Sequence, residues 1–175
     1  MKAPENGHAR PRGVESLYPF LFRPPAEPGP LTDDVSRSAP EKVLEIVSIR
    51  DRLAVGMDSR LTECARALAL RFAKGGRLFA FGNGGSASDA QAVARVFLDP
   101  WAGRPLPAHA LTNDQGVVTA LSNDIGFDVV FARQIAAFAE PGDIAVGLST
   151  SGNSENVCRG LAEAARRGLL TVGFA

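Results

Sequence analysis

Apolar positions recur along this chain in two rhythms. From Pro40 to Lys74 the residues Val43, Leu44, Val47, Leu53, Leu61, Ala65, Leu68 and Phe72 return at spacings of mainly three and four, the period of a helix face. Pro40 suits a first helical turn and Gly75-Gly76 ends the run, while Gly56 either divides it into two helices or bends one. Four compact apolar runs follow, Arg77–Phe81, Leu106–Leu111, Asp143–Leu148 and Leu169–Phe174, and these read as strands. Helical segments separate them at about Ser86–Leu98, Gln115–Leu121 with Asp128–Ala139, and Ser154–Arg167. Strands alternating with helices predict the α/β class: a doubly wound parallel sheet flanked by helices, with a leading helical segment.

Proline marks off the other end. Eight of the 12 prolines fall within residues 1–40, in a stretch that the proline rule excludes from regular helix or sheet. Residues 1–39 are therefore expected to be a mobile arm and residues 40–175 the folded domain. Leu17-Tyr18-Pro19-Phe20-Leu21-Phe22 interrupts the arm with apolar mass, either as a fastening onto the domain or a neighbouring subunit or as an incidental cluster. The leading helical stretch has too much apolar face for a solvent-facing prefix and is expected to pack partly against another subunit. The last run reaches Ala175, which predicts an exposed sheet edge covered by another subunit or a longer ancestral domain.

Two loops carry the candidate chemistry. Gly82-Asn83-Gly84-Gly85-Ser86 and Ser149-Thr150-Ser151-Gly152-Asn153-Ser154 each follow an expected strand and lead into an expected helix. The first N–H groups of such a helix lack intrahelical partners, and its dipole favours an anion. Glycines let the backbone come close, and hydroxyls cap the helix or bond phosphate oxygens. Neither loop holds an arginine or lysine, so an anion there must be met by amides, hydroxyls and dipoles.

Charge and cysteine usage narrow the partners. Lys and Arg number 19, as do Asp and Glu, so no net field draws the chain to nucleic acid or an anionic membrane. Cys64 and Cys158 stand far apart without metal-ligand spacing, and read as small core or half-buried thiols. The amino terminus lacks the apolar stretch of a signal peptide, and no run approaches membrane-spanning length, so the expected location is cytoplasmic.

Taken in order, residues 41–175 resemble the sugar isomerase (SIS) domain, and within it the phosphoheptose isomerase group. The likeness rests on Phe81-Gly82-Asn83-Gly84-Gly85-Ser86 with Asp89-Ala90, Leu121-Ser122-Asn123-Asp124-Ile125-Gly126-Phe127, Pro141-Gly142-Asp143-Ile144, and Leu148-Ser149-Thr150-Ser151-Gly152-Asn153-Ser154-Glu155-Asn156-Val157. The resemblance implies a flavodoxin-like doubly wound sheet, a homo-oligomer (dimer or tetramer), and a phosphorylated sugar as partner, sedoheptulose 7-phosphate in the isomerases. By position, Asn83, Gly84 and Gly85 would line the substrate with Ser86 beside it. Asn123 and Asp124 would face sugar hydroxyls, and Ser149, Thr150, Ser151 and Ser154 would hold the phosphate.

The resemblance implies less about reaction chemistry. Metal-using members of the group carry a histidine and a glutamate four residues apart on the helix after the first loop, and here those positions are Ala92 and Val96. Neither side chain can bind zinc or accept a proton, so no cofactor is expected. The family's last strand and C-terminal helix, with a glutamine and a histidine ligand, have no counterpart up to Ala175. Gln91 and Arg95 share a face turned roughly 100° from that stripe and read as a solvated surface. His109 reads as a core or strand-end histidine, Trp101 as packing a loop, and Asp89 as a dipole partner. Three functions therefore compete: a sugar-phosphate-binding protein whose isomerisation is in doubt, an active isomerase, and a non-catalytic regulatory or assembly module. A fourth, dinucleotide binding, rests only on the loose Gly82-x-Gly84-x-x-Ala87 fingerprint with Asp114 as its late acidic residue.

Overall fold

A computed structural model describes Gly13, residues 18–22 and residues 28–175. The chain divides into two units, Met1–Val55 and Gly56–Ala175. In the first, Pro19–Phe22 forms one 3-10 turn, and Tyr18 and Phe22 expose about half of their surface. The remainder of the arm expected over residues 1–39 lies largely outside the described residues, with one correction. Helix α1 spans Pro28–Gly56 and carries Pro40 in its interior, so it begins well before the expected start at Pro40. Pro28 and Pro30 fall in its first turn, where the missing N–H would be unpaired anyway, and only Pro40 removes a helical hydrogen bond. Along α1, Val43, Leu44, Val47 and Leu53 are all exposed.

The second unit is the α/β part. Helix α2 (Asp58–Ala73) ends in a turn at Lys74, and then β1 (Leu78–Gly82), α3 (Gly85–Leu98), β2 (Ala108–Ala110) and α4 (Gln115–Asp124) follow. A 3-10 turn at Phe127–Val129 leads to α5 (Val130–Phe138), β3 (Ile144–Leu148), α6 (Glu155–Arg166) and β4 (Leu170–Phe174). The four strands are parallel in the order β2-β1-β3-β4, with Leu78 opposite both Ala108 and Ile144, and Ile144 opposite Leu170.

Alternation along the strands builds two cores. Leu78, Ala80, Ile144 and Val146 face one side, where Ala90 and Ala94 of α3 and Phe72 of α2 cover them. Phe79, Phe81 and Ala145 face the other, against Val130, Phe131 and Ile135 of α5 and Val157 and Ala164 of α6. Both faces of β1 and β3 are buried, which is why their sequences read as unbroken apolar runs.

At the N-terminal end of the sheet a single carboxylate joins β1 to β3. Asp143 accepts from the Arg77 backbone N–H at 2.8 Å, from Arg77 Nη2 at 2.7 Å and from the Glu140 N–H at 2.9 Å. Burial alone would raise its pKa, but these donors and the guanidinium charge outweigh burial and hold it below the usual carboxylate range.

Three smaller expectations change. Trp101 packs no loop: it is fully exposed between α3 and β2. His109 is neither core nor strand end, because it is the central residue of the short β2 and points to solvent between buried Ala108 and Ala110. Cys158 is exposed rather than half-buried, being on the outer side of α6, and both described cysteines are free thiols.

Candidate ligand site at the sheet switch point

Strand order sets the location. From β1 the chain crosses to β2 on one side, and from β3 it crosses to β4 on the other, so the connections diverge between adjacent β1 and β3. That divergence opens a crevice at the C-terminal ends of these two strands. The two candidate loops flank it.

The glycine loop is folded tightly on itself. A Cβ at Gly82 would stand 2.7 Å from the Ser86 carbonyl oxygen and 2.8 Å from that of Leu148, so only glycine lets β1, β3 and the start of α3 approach this closely. Gly84 has φ +55° and ψ −121°, a conformation closed to ordinary L-residues. The N–H groups of Ser86 and Ala87 donate to the Asn83 and Gly84 carbonyls, both at 3.0 Å. Those two donors are thus spent within the loop, whereas no partner is found among the described residues for the N–H groups of Asn83, Gly84 and Gly85, which stand beside the Asn83 and Ser86 side chains.

The serine loop is organised differently, around Ser149. Its carbonyl accepts from the Gly152 N–H at 3.0 Å, and its hydroxyl donates to Ser154 Oγ at 2.9 Å and accepts from the Ser154 N–H at 3.4 Å. Ser151 Oγ lies 3.5 Å from Ser149 Oγ and accepts from the Asn153 N–H at 3.3 Å. Among the described residues no partner is found for the backbone N–H groups of Thr150, Ser151, Glu155, Asn156 and Val157. Unpaired donors at the start of α6, beside four hydroxyls, are what a phosphate requires.

Side chains tie the loops together. The Asn83 and Asn156 carboxamides exchange two hydrogen bonds, of 2.8 and 2.9 Å. Ser86 Oγ lies 3.4 Å from Thr150 Oγ1. Asn156 is the residue that sequence reasoning missed as a site residue. Its signal was a polar side chain on the buried stripe of α6 that also holds Val157, Gly160 and Ala164.

Asn123 and Asp124 are placed apart from these contacts. They are the last two residues of α4, which runs past the expected end at Leu121, and they bond to each other through Asn123 Nδ2 and Asp124 Oδ1 at 2.8 Å. No described hydrogen bond joins either one to the two loops. The segment after them is fastened near the site, because Asp128 pairs at 2.9 Å with Arg159, one turn into α6. Asp114 does not reach toward a ligand: its carboxylate caps α4 by accepting from the Val117 N–H at 3.0 Å.

Comparison with known proteins places this arrangement. The SIS domain pattern matches residues 44–175. The phosphoheptose isomerase of Nitratidesulfovibrio vulgaris strain Miyazaki F is 42% identical over 146 residues, covering 82% of this chain and 70% of the relative. That of Solidesulfovibrio magneticus is 42% identical over 147 residues, covering 83% and 72%. Among solved structures, the phosphoheptose isomerase of Neisseria gonorrhoeae superposes with a TM-score of 0.75 at 32% identity, covering 79% of this chain and 73% of that one. The chain belongs to the SIS domain family, as a phosphoheptose isomerase-like member.

Within that family the helix after the glycine loop is where a zinc ion would be sought, and the residues here do not fit one. Ala92 and Val96 are both on the exposed side of α3, with Val96 65% exposed, and offer only hydrocarbon. Gln91 and Arg95 are exposed too. Among the described residues no group of three or more histidines, cysteines or carboxylates could hold a metal. Nor is any described helix long and apolar enough to cross a membrane.

Proposed function

We propose that this SIS protein binds a phosphorylated ketose, with the phosphate in the serine loop at the start of α6 and the sugar along the glycine loop. The observation that carries the reading is that, among the described residues, the N–H groups of Thr150, Ser151, Glu155, Asn156 and Val157 are without a partner, next to the Ser149, Thr150, Ser151 and Ser154 hydroxyls. Asn83, Gly84, Gly85 and Ser86 form the opposite wall, and Asn123 and Asp124 supply a further amide and carboxylate for sugar hydroxyls. A sugar phosphate is the ligand because the relatives are named phosphoheptose isomerases and because a polyol needs the mixed donors and acceptors found here. Ketose–aldose exchange by a metal-assisted route is not part of this proposal, since Ala92 and Val96 cannot carry it. The expected setting is the cytoplasm and the expected assembly a homo-oligomer, both implied by the resemblance.

Ligand-induced thermal stabilisation tests the binding. Sedoheptulose 7-phosphate at about a hundred times its dissociation constant should add roughly 2.7 kcal/mol of stability. Ser149→Ala with Ser154→Ala should abolish that shift, and an unchanged shift in the double variant would count against the site. The 42% identity to isomerases favours a second reading, in which the chain itself turns over the sugar phosphate. Robust turnover, lost in Ser151→Ala and indifferent to chelators, would establish it in place of the first.

A further inference from the structure

We infer that Asn156 is a positioning residue, setting the Asn83 carboxamide and with it the sugar-facing edge of the glycine loop; the inference rests on the sugar-phosphate reading above. Burial is the first argument. Asn156 is only 3% exposed at the second position of α6, and a buried amide is tolerated when its polar atoms are paired. Its amide finds its hydrogen-bonding partner in Asn83, a residue 73 positions away on another element.

Reciprocity is the second argument. Asn83 Nδ2 donates to Asn156 Oδ1 at 2.8 Å, and Asn156 Nδ2 donates to Asn83 Oδ1 at 2.9 Å. Turning either amide alone would set oxygen against oxygen and nitrogen against nitrogen, so the orientation of Asn83 follows that of Asn156. An amide holds two N–H donors and two acceptor lone pairs, and the ring uses one of each on both residues. The spare N–H and lone pair of half-buried Asn83 are then held on opposite edges of its carboxamide, where two separate sugar hydroxyls can meet them. Asn156 sits one position beyond Glu155 in the helix whose start forms the phosphate cradle, so the pair also fixes the distance between sugar wall and cradle. The Ser86–Thr150 contact at 3.4 Å is too long to do this alone.

A double-mutant cycle on the full chain tests the inference, with calorimetric dissociation constants for sedoheptulose 7-phosphate and for inorganic phosphate. Asn156→Ala is expected to weaken sugar-phosphate binding about tenfold, the loss of one hydrogen bond to the ligand, and to change inorganic phosphate affinity less than about twofold. Asn83→Ala should lose the same factor, and the double variant no more than either single one. Losses that multiply in the double variant would mean that Asn156 does not act through Asn83, and an equal loss for inorganic phosphate would make its role one of general folding; either overturns the inference. So would unaltered sugar-phosphate binding by Asn156→Ala. Wild-type protein that binds neither ligand overturns the underlying reading instead. Should Asn156→Ala not fold, Asn156→Asp replaces it in the same cycle. It is isosteric, keeps the acceptor for Asn83 Nδ2 and lacks the donor to Asn83 Oδ1, and the cycle cancels the effect of its charge on the phosphate. Coupling in that cycle supports the inference and its absence overturns it.

Discussion

Gly82 sits where three elements meet, and its missing side chain is part of the site's architecture. An added methyl group would press on two backbone carbonyl oxygens that belong to α3 and β3, neither of which can swing away as a side-chain tip could. Gly82→Ala is accordingly expected to destabilise the fold by about 3 kcal/mol, read as a lower urea midpoint at unchanged slope. Ala92 and Val96 are the opposite kind of position. Both are exposed on α3, so Ala92→His with Val96→Glu should leave stability within about 0.5 kcal/mol while placing two ligands one turn apart on a single face. Competition with a chromophoric chelator should then show zinc affinity above that of the parent chain; equal affinity would show that this face cannot gather a metal. The chemistry of such single positions was legible in the sequence because Ala, Val and Gly declare what they cannot do. The role of Asn156 was not, since its partner is 73 residues away and the pairing exists only once β1 lies beside β3.

At the scale of elements, the strands were legible where burial on both faces makes the apolar run continuous, as in Ile144–Leu148 against an expected Asp143–Leu148. They were less so at the edge. Of Leu106–Leu111 only Ala108–Ala110 pairs with β1, whereas the other edge strand, β4, pairs over Leu170–Phe174. Helix α1 starts earlier than its proline content implies, because Pro28 and Pro30 fall in its first turn, where proline is tolerated. Asp143 shows how an element boundary also carries energy. Its folded pKa lies below the unfolded value near 3.9, so its contribution is complete above that value and is lost as pH falls through the lower folded one. Asp143→Asn replaces the charge facing Arg77 and sets an amide nitrogen among donors. It should cost about 2–3 kcal/mol at pH 7, and the gap to wild type in chemical unfolding should narrow steadily below about pH 4. A gap independent of pH would mean that the carboxylate's charge plays no part.

For the whole molecule, alternation of strands and helices announced a doubly wound sheet, yet strand order β2-β1-β3-β4 is what turns two separate loops into one crevice. That crevice is asymmetric in a way with a measurable consequence. The N–H groups of Ser86, Ala87 and Ser88 already donate to loop carbonyls at 3.0–3.4 Å, whereas those of Thr150, Ser151, Glu155, Asn156 and Val157 have no partner among the described residues. A phosphate held in the serine loop, as proposed, can therefore protect the amides of residues 150–157 but not those of residues 86–88, which are already engaged. Hydrogen exchange with and without sedoheptulose 7-phosphate should show slowing confined to the peptide spanning residues 150–157, with residues 86–88 unchanged. Equal slowing on both sides would mean that the ligand acts by closing the whole unit, and slowing only over residues 86–88 would move the phosphate to the glycine loop. The expected pattern follows from the proposed phosphate position and donor accounting together: the serine loop and the start of α6 leave five N–H groups unspent for a ligand oxygen, whereas the amides of residues 86–88 are already engaged.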